Sequence, residues 1–181
     1  MKFSIVLAVS VTLWAAISVA APVSPYAGEE AREIKALSTE ERKSYLSGEG
    51  MGLARPAELN GYPGPSHVLA LGADLGLAPE QRRQTEMLFS AMHERAIGVG
   101  RQLVDEERKL DEMFAGKAVT PELLSASLRR IGALQGELRG VHLEAHLAQV
   151  RILTPAQVAR YMALRGYALA PNRGAHPGHR D

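Results

Sequence analysis

A helix-start motif that occurs twice places the strongest constraint on the fold. In the segment LTPAQ at 153–157, Thr154 can cap a helix, and Pro155 takes the first helical position, where its missing N–H costs nothing. Gln157 can then bond back to the backbone N–H of the capping residue. The segment LAPEQ at 77–81 repeats the leucine, the proline and the glutamine, with alanine in place of threonine. The sequence therefore predicts that a helix begins at each of these two prolines.

Apolar residues at alternating steps of three and four predict two long helices. The first runs from Pro79 to about Ala115, and the second from Pro121, capped by Thr120, to about Ile152. Their apolar positions are Leu88, Met92, Ala96, Val99, Leu103, Leu110 and Phe114 in the first, and Leu124, Leu128, Ile131, Leu134, Leu138, Val141 and Ala145 in the second. We predict an all-α fold, a long antiparallel helical hairpin with short flanking helices, assembled as a dimer with a cradle-like face.

The predicted hairpin lies between two less regular segments. Residues 21–65 read as an irregular N-terminal arm with short helices at 29–37 and 38–46, the second begun by a Ser38 capping box. Residues 66–167 form the predicted helical domain, which opens with a short helix from Ser66 to Leu75. Residues 168–181 are rich in proline and glycine and predict a disordered, histidine-containing tail.

The first twenty residues have the pattern of a secretory signal peptide. Lys2 precedes an apolar run from Phe3 to Val19, and Ser18-Val19-Ala20 is a small-x-small cleavage site. We predict export and cleavage after Ala20. An uncleaved anchor is the alternative, because the run is nearly long enough to span a bilayer.

Charge and cysteine content narrow the function classes. The chain has 21 Lys and Arg against 20 Asp and Glu, and removal of Lys2 with the signal leaves 20 against 20. This balance gives no electrostatic reason to expect nucleic acid or an anionic membrane as a partner. The chain has no cysteine, so a metal site would have to use His, Asp, Glu, Met or water.

A pair of histidines at helical spacing is the main candidate for a metal site. His142 and His146 are four residues apart, so they share a helix face and can reach one ion. Two ligands supply only half of a tetrahedral shell, and a half-exposed pair without a metal is the alternative. His67 is a weaker candidate ligand at a helix start, and His176 and His179 in the tail could bind metal weakly.

The second long helix also carries an apolar surface away from its main stripe. Gly132, Gly136 and Gly140 repeat every fourth residue and line one strip, where another helix could approach closely. The far-side apolar residues are Leu143, Leu147 and Val150. A two-helix hairpin cannot cover both faces, so the last helix, a dimer partner or a client protein is expected to cover this one.

The paired motifs, in a helical chain with an export signal, resemble the Leu-Thr-x-x-Gln family of periplasmic envelope-stress and metal-response proteins, which includes Spy, CpxP, ZraP and the CnrX-type heavy-metal sensors. The resemblance covers about Gly64 to Tyr167 and implies a helical, often dimeric, periplasmic protein that binds metal ions, unfolded clients or both. CnrX-like sensors carry a His-x-x-x-His pair where this chain has His67 and Leu71, so one ligand of that type is missing. Near His142 and His146 those sensors carry a histidine followed by a softer ligand.

No catalytic motif is visible. His93-Glu94 begins a zinc-protease pattern, but Ile97 stands where the second histidine is required. We therefore expect a protein that is not an enzyme and uses no organic cofactor.

Two non-enzymatic functions remain. The first is a periplasmic envelope-stress or heavy-metal-response protein that binds Zn, Ni, Co or Cu as a divalent ion through His142 and His146. The alternative is an ATP-independent periplasmic chaperone of the Spy/CpxP type that binds unfolded proteins on Leu143, Leu147 and Val150. Expected partners are a second copy of the chain, unfolded periplasmic proteins, or a membrane-bound sensor or anti-sigma partner, and no nucleic acid.

Overall fold

The computed structural model describes residues 23–167, and this part of the chain is all-α, without a β-strand. The described chain divides into two units at residue 30. In the first unit, residues 23–30 form turns. In the second unit, the helices of the described residues are α1 (Thr39–Leu46), α2 (Arg55–Glu58), α3 (Pro65–Ala70), α4 (Pro79–Ala115), α5 (Pro121–Ile152) and α6 (Pro155–Leu164). The predicted signal peptide and the predicted tail lie outside the described residues.

The two long helices begin and end where the sequence predicts and pack against each other. Their shared core contains Ala96, Val99, Leu103, Ile131, Leu134, Leu138 and Val141. Side-chain hydrogen bonds join Arg95 to Glu144 at 3.0 Å and Gln102 to Arg130 at 2.8 Å. Positions later in α4 therefore meet positions earlier in α5. None of these described helices is both long enough and apolar enough to cross a membrane.

Two predicted core positions are wrong. Phe114 is 54% exposed and Leu128 is 52% exposed. Phe114 lies in the last turn of α4. In the turn of α5 that contains Leu128, the small residue Ser127 takes the buried position, where its hydroxyl bonds to the carboxylate of Glu106 at 3.4 Å.

The two copies of the helix-start motif meet through their glutamines. The Nε2 group of Gln81 donates to the carbonyl of Ile152 and to Oε1 of Gln157, both at 2.8 Å, and Nε2 of Gln157 donates to Oε1 of Gln81 at 3.0 Å. Each Oε1 also accepts the backbone N–H of its own N-cap, Ala78 at 3.1 Å and Thr154 at 2.9 Å. One amide pair thus caps two helices and fixes the start of α6 beside the start of α4.

The segment before α2 packs along the outer face of α4. Ile34 and Leu37 are buried with Val104 of α4, and Tyr45 of α1 packs against the same cluster. The predicted capping box at Ser38 is confirmed, since its hydroxyl accepts the backbone N–H of Glu41 and its own N–H donates to the Glu41 carboxylate. One side of α4 is therefore covered by residues far away in sequence.

The predicted helix at 29–37 is wrong, because this segment forms turns and bends. The backbone N–H of Lys35 donates to the Asp111 carboxylate at 3.2 Å instead of to a carbonyl one turn earlier. With only Ile34 and Leu37 as buried anchors, the segment has too few contacts to offset the cost of starting a helix.

The start predicted for the next helix is also wrong. The helix α3 begins at Pro65, one residue before the predicted first residue Ser66, and Gly64 is its N-cap. The helix ends at Ala70, and the residues up to Gly76 form turns. The short helix α2 was not predicted, since the sequence predicts short helices in the arm only at 29–37 and 38–46.

Candidate functional site

A cavity of about 590 Å³ lies between α4, α5 and the segment that contains α2. All four histidines of the described residues line it, although they come from three helices: His67, His93, His142 and His146. Its volume lies in the range usual for ligand pockets. The structure therefore brings the three predicted ligands of the helical domain to one place and adds His93. The tail histidines His176 and His179 lie outside the described residues.

His142 is the most deeply buried of these side chains. It is 4% exposed, and its Nε2 atom is buried without a hydrogen-bond partner. The backbone of Gly50 lies over the ring, where an added Cβ would be 3.7 Å from Nδ1. Burial, and then the nearby His146 and His93, lower the pKa of the His142 imidazole. The ring is therefore neutral at pH 7, the form that can bind a metal ion.

His146 is held in a defined orientation one turn further along α5. Its Nδ1–H donates to the carbonyl of Tyr62 at 2.7 Å, which leaves the lone pair of the neutral ring on Nε2. The other side of the ring faces Gly64, where an added Cβ would be 2.9 Å from Nε2. His146 is 9% exposed, so the alternative of a half-exposed pair on α5 does not describe either histidine.

His93 and His67 complete the set. The Nε2–H of His93 donates to the carbonyl of Ser47 at 2.9 Å, and its ring stacks on Phe89 with centroids 5.5 Å apart. His67 is more exposed, and burial, followed by the charge of Arg165, lowers its pKa. Sequence reasoning missed His93, because its partner is 46 residues away and no local pattern marks that contact.

A buried carboxylate lies beside the histidines and was also missed. Oε1 of Glu58 accepts the hydroxyls of Tyr161 at 2.5 Å and Tyr167 at 3.2 Å, and it lies 3.3 Å from the Arg165 guanidinium. Oε2 is buried without a hydrogen-bond partner and lies 3.8 Å from Nδ1 of His146. Burial and then the Glu58 carboxylate raise the pKa of Tyr161, which stays protonated. This cluster ties α2 to α6 and closes one wall of the cavity.

The donors are close to one another without forming a preassembled metal centre. Among residues 23–167, no group of three or more His, Cys, Asp or Glu side chains is arranged to hold an ion. His142 and His146 instead contact different parts of the covering segment, at Gly50 and at Tyr62. Binding through both would require this segment to move.

The predicted client-binding residues lie on the face of α5 turned away from α4. Leu147 is 50% exposed, and Leu143 and Val150 are partly buried. The glycine strip on the same face is open, because a Cβ added at Gly132 or Gly136 would meet no atom within 4 Å. The close helix approach predicted at these glycines does not occur within the described chain.

The chain was compared with protein-family models, with curated proteins and with solved structures, and none of the three comparisons found a match.

Proposed function

We propose that the chain is an exported envelope-stress or heavy-metal-response protein that binds a divalent transition-metal ion, through His142 and His146 of a helical hairpin. Its motif pair resembles that of the Leu-Thr-x-x-Gln family, whose periplasmic location we propose for this chain. One observation carries the metal proposal: four histidines line one cavity, and Nε2 of His142 is buried there without a partner. An unpaired buried polar atom costs about 1–3 kcal/mol, and coordination to a metal would remove that cost.

The donor chemistry suits a borderline metal ion. Imidazole nitrogen favours Zn, Cu and Ni, whereas Mg and Ca prefer sets of oxygen ligands. Glu58 could add an oxygen ligand, since its Oε2 is buried without a partner close to His146. His67 could complete the shell from α3. In this proposal the metal moves the segment between α1 and α3, which contacts both histidines, so that binding changes the surface offered to a partner protein.

Calorimetric titration of residues 21–181 with zinc, nickel, cobalt and copper(II) tests the proposal. We expect micromolar or tighter binding that is lost when His142 and His146 are both replaced by alanine, with helicity preserved in the circular dichroism spectrum. A His176→Ala/His179→Ala variant is the matched control, because it removes two histidines outside the cavity. Binding that persists in the first variant and disappears in the control would contradict the proposal.

A second candidate function is supported by the open face of α5. Leu147, Leu143 and the glycine strip form an apolar surface that the described chain leaves uncovered. In a dimer this face would be the cradle that binds unfolded proteins, or it would be the dimer interface itself. The two functions are compatible. A metal bound near the C-terminal end of α5, at His142 and His146, could change the accessibility of that face to a partner protein.

A further inference from the structure

Two methionines line the same cavity as the histidines and supply a different kind of donor. Met51 lies in the segment between α1 and α2, and Met92 precedes His93 on α4. A thioether sulfur is a soft, polarisable ligand. Soft sulfur ligands select copper(I), whereas carboxylate and water ligands suit harder ions. Neither methionine has a part in the divalent site proposed above.

The two methionines belong to different walls of the cavity that His142 also lines. The backbone of Gly50 lies over the His142 ring, with a Cβ position 3.7 Å from Nδ1, and Met51 is the next residue. Met51 has a positive φ of 45°, a conformation that costs a side-chain-bearing residue energy. Met92 lies on α4, where it is partly buried, lines the cavity and packs against the core that α4 shares with α5.

Several other donors around the cavity already have partners. The Glu49 carboxylate accepts the hydroxyls of Ser44 and Ser47, and Glu58 accepts two tyrosine hydroxyls. The Nε2–H of His93 is bonded to a carbonyl. His142, which is 4% exposed, presents a buried Nε2 without a partner. His142 is thus the histidine with a buried, unpartnered ring nitrogen, and the cavity that it lines also holds two thioethers.

We propose that this cavity binds a soft monovalent cation, copper(I) or its analogue silver(I), through Nε2 of His142 and the thioether sulfurs of Met51 and Met92. One nitrogen and two sulfur donors are neutral, so they need not lose a proton when the ion binds. Apolar side chains such as Phe89 and Leu59 also line the cavity, although Met51 is 41% exposed, and apolar surroundings favour a weakly hydrated ion over a strongly hydrated one. This site shares His142 with the proposed divalent site but does not depend on it.

Silver(I), which needs no reductant, is the probe, and the methionine ε-methyl groups report binding directly. In residues 21–181 labelled with ε-¹³C methionine, we expect the signals of Met51 and Met92 to shift on addition of one equivalent of silver nitrate in chloride-free buffer. The signal of Met87, which is 52% exposed on α4 outside the cavity lining, should not shift. Shifts confined to Met87 and other methionines, or no shift at all, would overturn the proposal.

Silver(I) and zinc affinities of methionine variants provide a second test of the proposal. Met51→Leu and Met92→Leu nearly conserve volume and should each weaken silver(I) binding at least tenfold, while Met87→Leu leaves it unchanged. Zinc binding should be the same in all three variants. Silver affinity that is equal in Met51→Leu, Met92→Leu and the parent chain would show that the thioethers are not ligands, whatever the outcome for zinc. Loss of zinc binding with retained silver binding would contradict only the divalent proposal.

Discussion

At the scale of single residues, two glycines of α4 have opposite environments although they are two positions apart. A Cβ added at Gly100 would collide with the backbone carbonyl of Tyr45, so α1 can pack here only against a glycine. A Cβ added at Gly98 would meet no atom within 4 Å. Glycine is thus required for packing at one position and only lowers helix propensity at the other.

We predict that alanine at these two positions changes the free energy of unfolding in opposite directions. Gly100→Ala should lower the free energy of unfolding by about 2 kcal/mol or more, because α1 must shift away from a backbone clash. Gly98→Ala should raise it by up to about 1 kcal/mol through helix propensity alone. Urea unfolding followed by circular dichroism measures both. Equal effects of the two substitutions would show that α1 does not pack closely at Gly100.

The histidines show what a sequence can and cannot specify at this scale. Spacing alone indicated that His142 and His146 share a helix face, because helix periodicity is local. The orientation of each ring depends on a carbonyl or a glycine from a distant segment, such as Tyr62 at 84 residues from His146. His93 and Glu58 were missed for the same reason, since every contact that brings them to the cavity is long-range in sequence.

At the scale of helices, local signals predicted the bounds of the long elements well. Pro79, Pro121 and Pro155 each begin a helix, and the capping hydroxyls of Thr120 and Thr154 accept the backbone N–H bonds expected of them. The segment at 29–37 failed because a bond to Asp111, 76 residues beyond Lys35, replaces a local one. Helix starts were predictable from a few adjacent residues, whereas tertiary bonds that override them were not.

The glutamine pair gives the prediction at this scale. Gln81 and Gln157 each cap their own helix and bond to each other, so single replacements by alanine should each destabilise the fold by about 1–2 kcal/mol. The double variant should lose less than the sum, with a coupling of about 1 kcal/mol in a double-mutant cycle. Gln84→Ala is the matched control, since that side chain bonds only to Glu80 one turn away. Strict additivity of Gln81→Ala and Gln157→Ala would contradict the pairing.

At the scale of the whole molecule, the two long helices are covered unequally. The segment of residues 31–64 packs on α4, at Val104 and Gly100, and also covers the histidine-bearing end of α5. The face of α5 with Gly132, Gly136 and Leu147 has no such cover in the described chain. Small residues at every fourth position permit close contact with another helix, and a neighbouring exposed leucine would gain from burial.

We therefore expect residues 21–181 to form a dimer through this face of α5. Leu147→Glu should convert the dimer to a monomer in sedimentation equilibrium, because a buried carboxylate without a partner opposes association. Leu123→Glu is the control, since Leu123 is 48% exposed against 50% for Leu147 but lies about 120° away round the same helix, outside the glycine strip. If both variants remain dimeric while only Leu147→Glu loses the ability to suppress aggregation of an unfolded test protein, the face binds clients and the dimer forms elsewhere. If neither property changes in either variant, this surface has no partner of either kind, and the proposed metal binding in the cavity alone would have to account for the function.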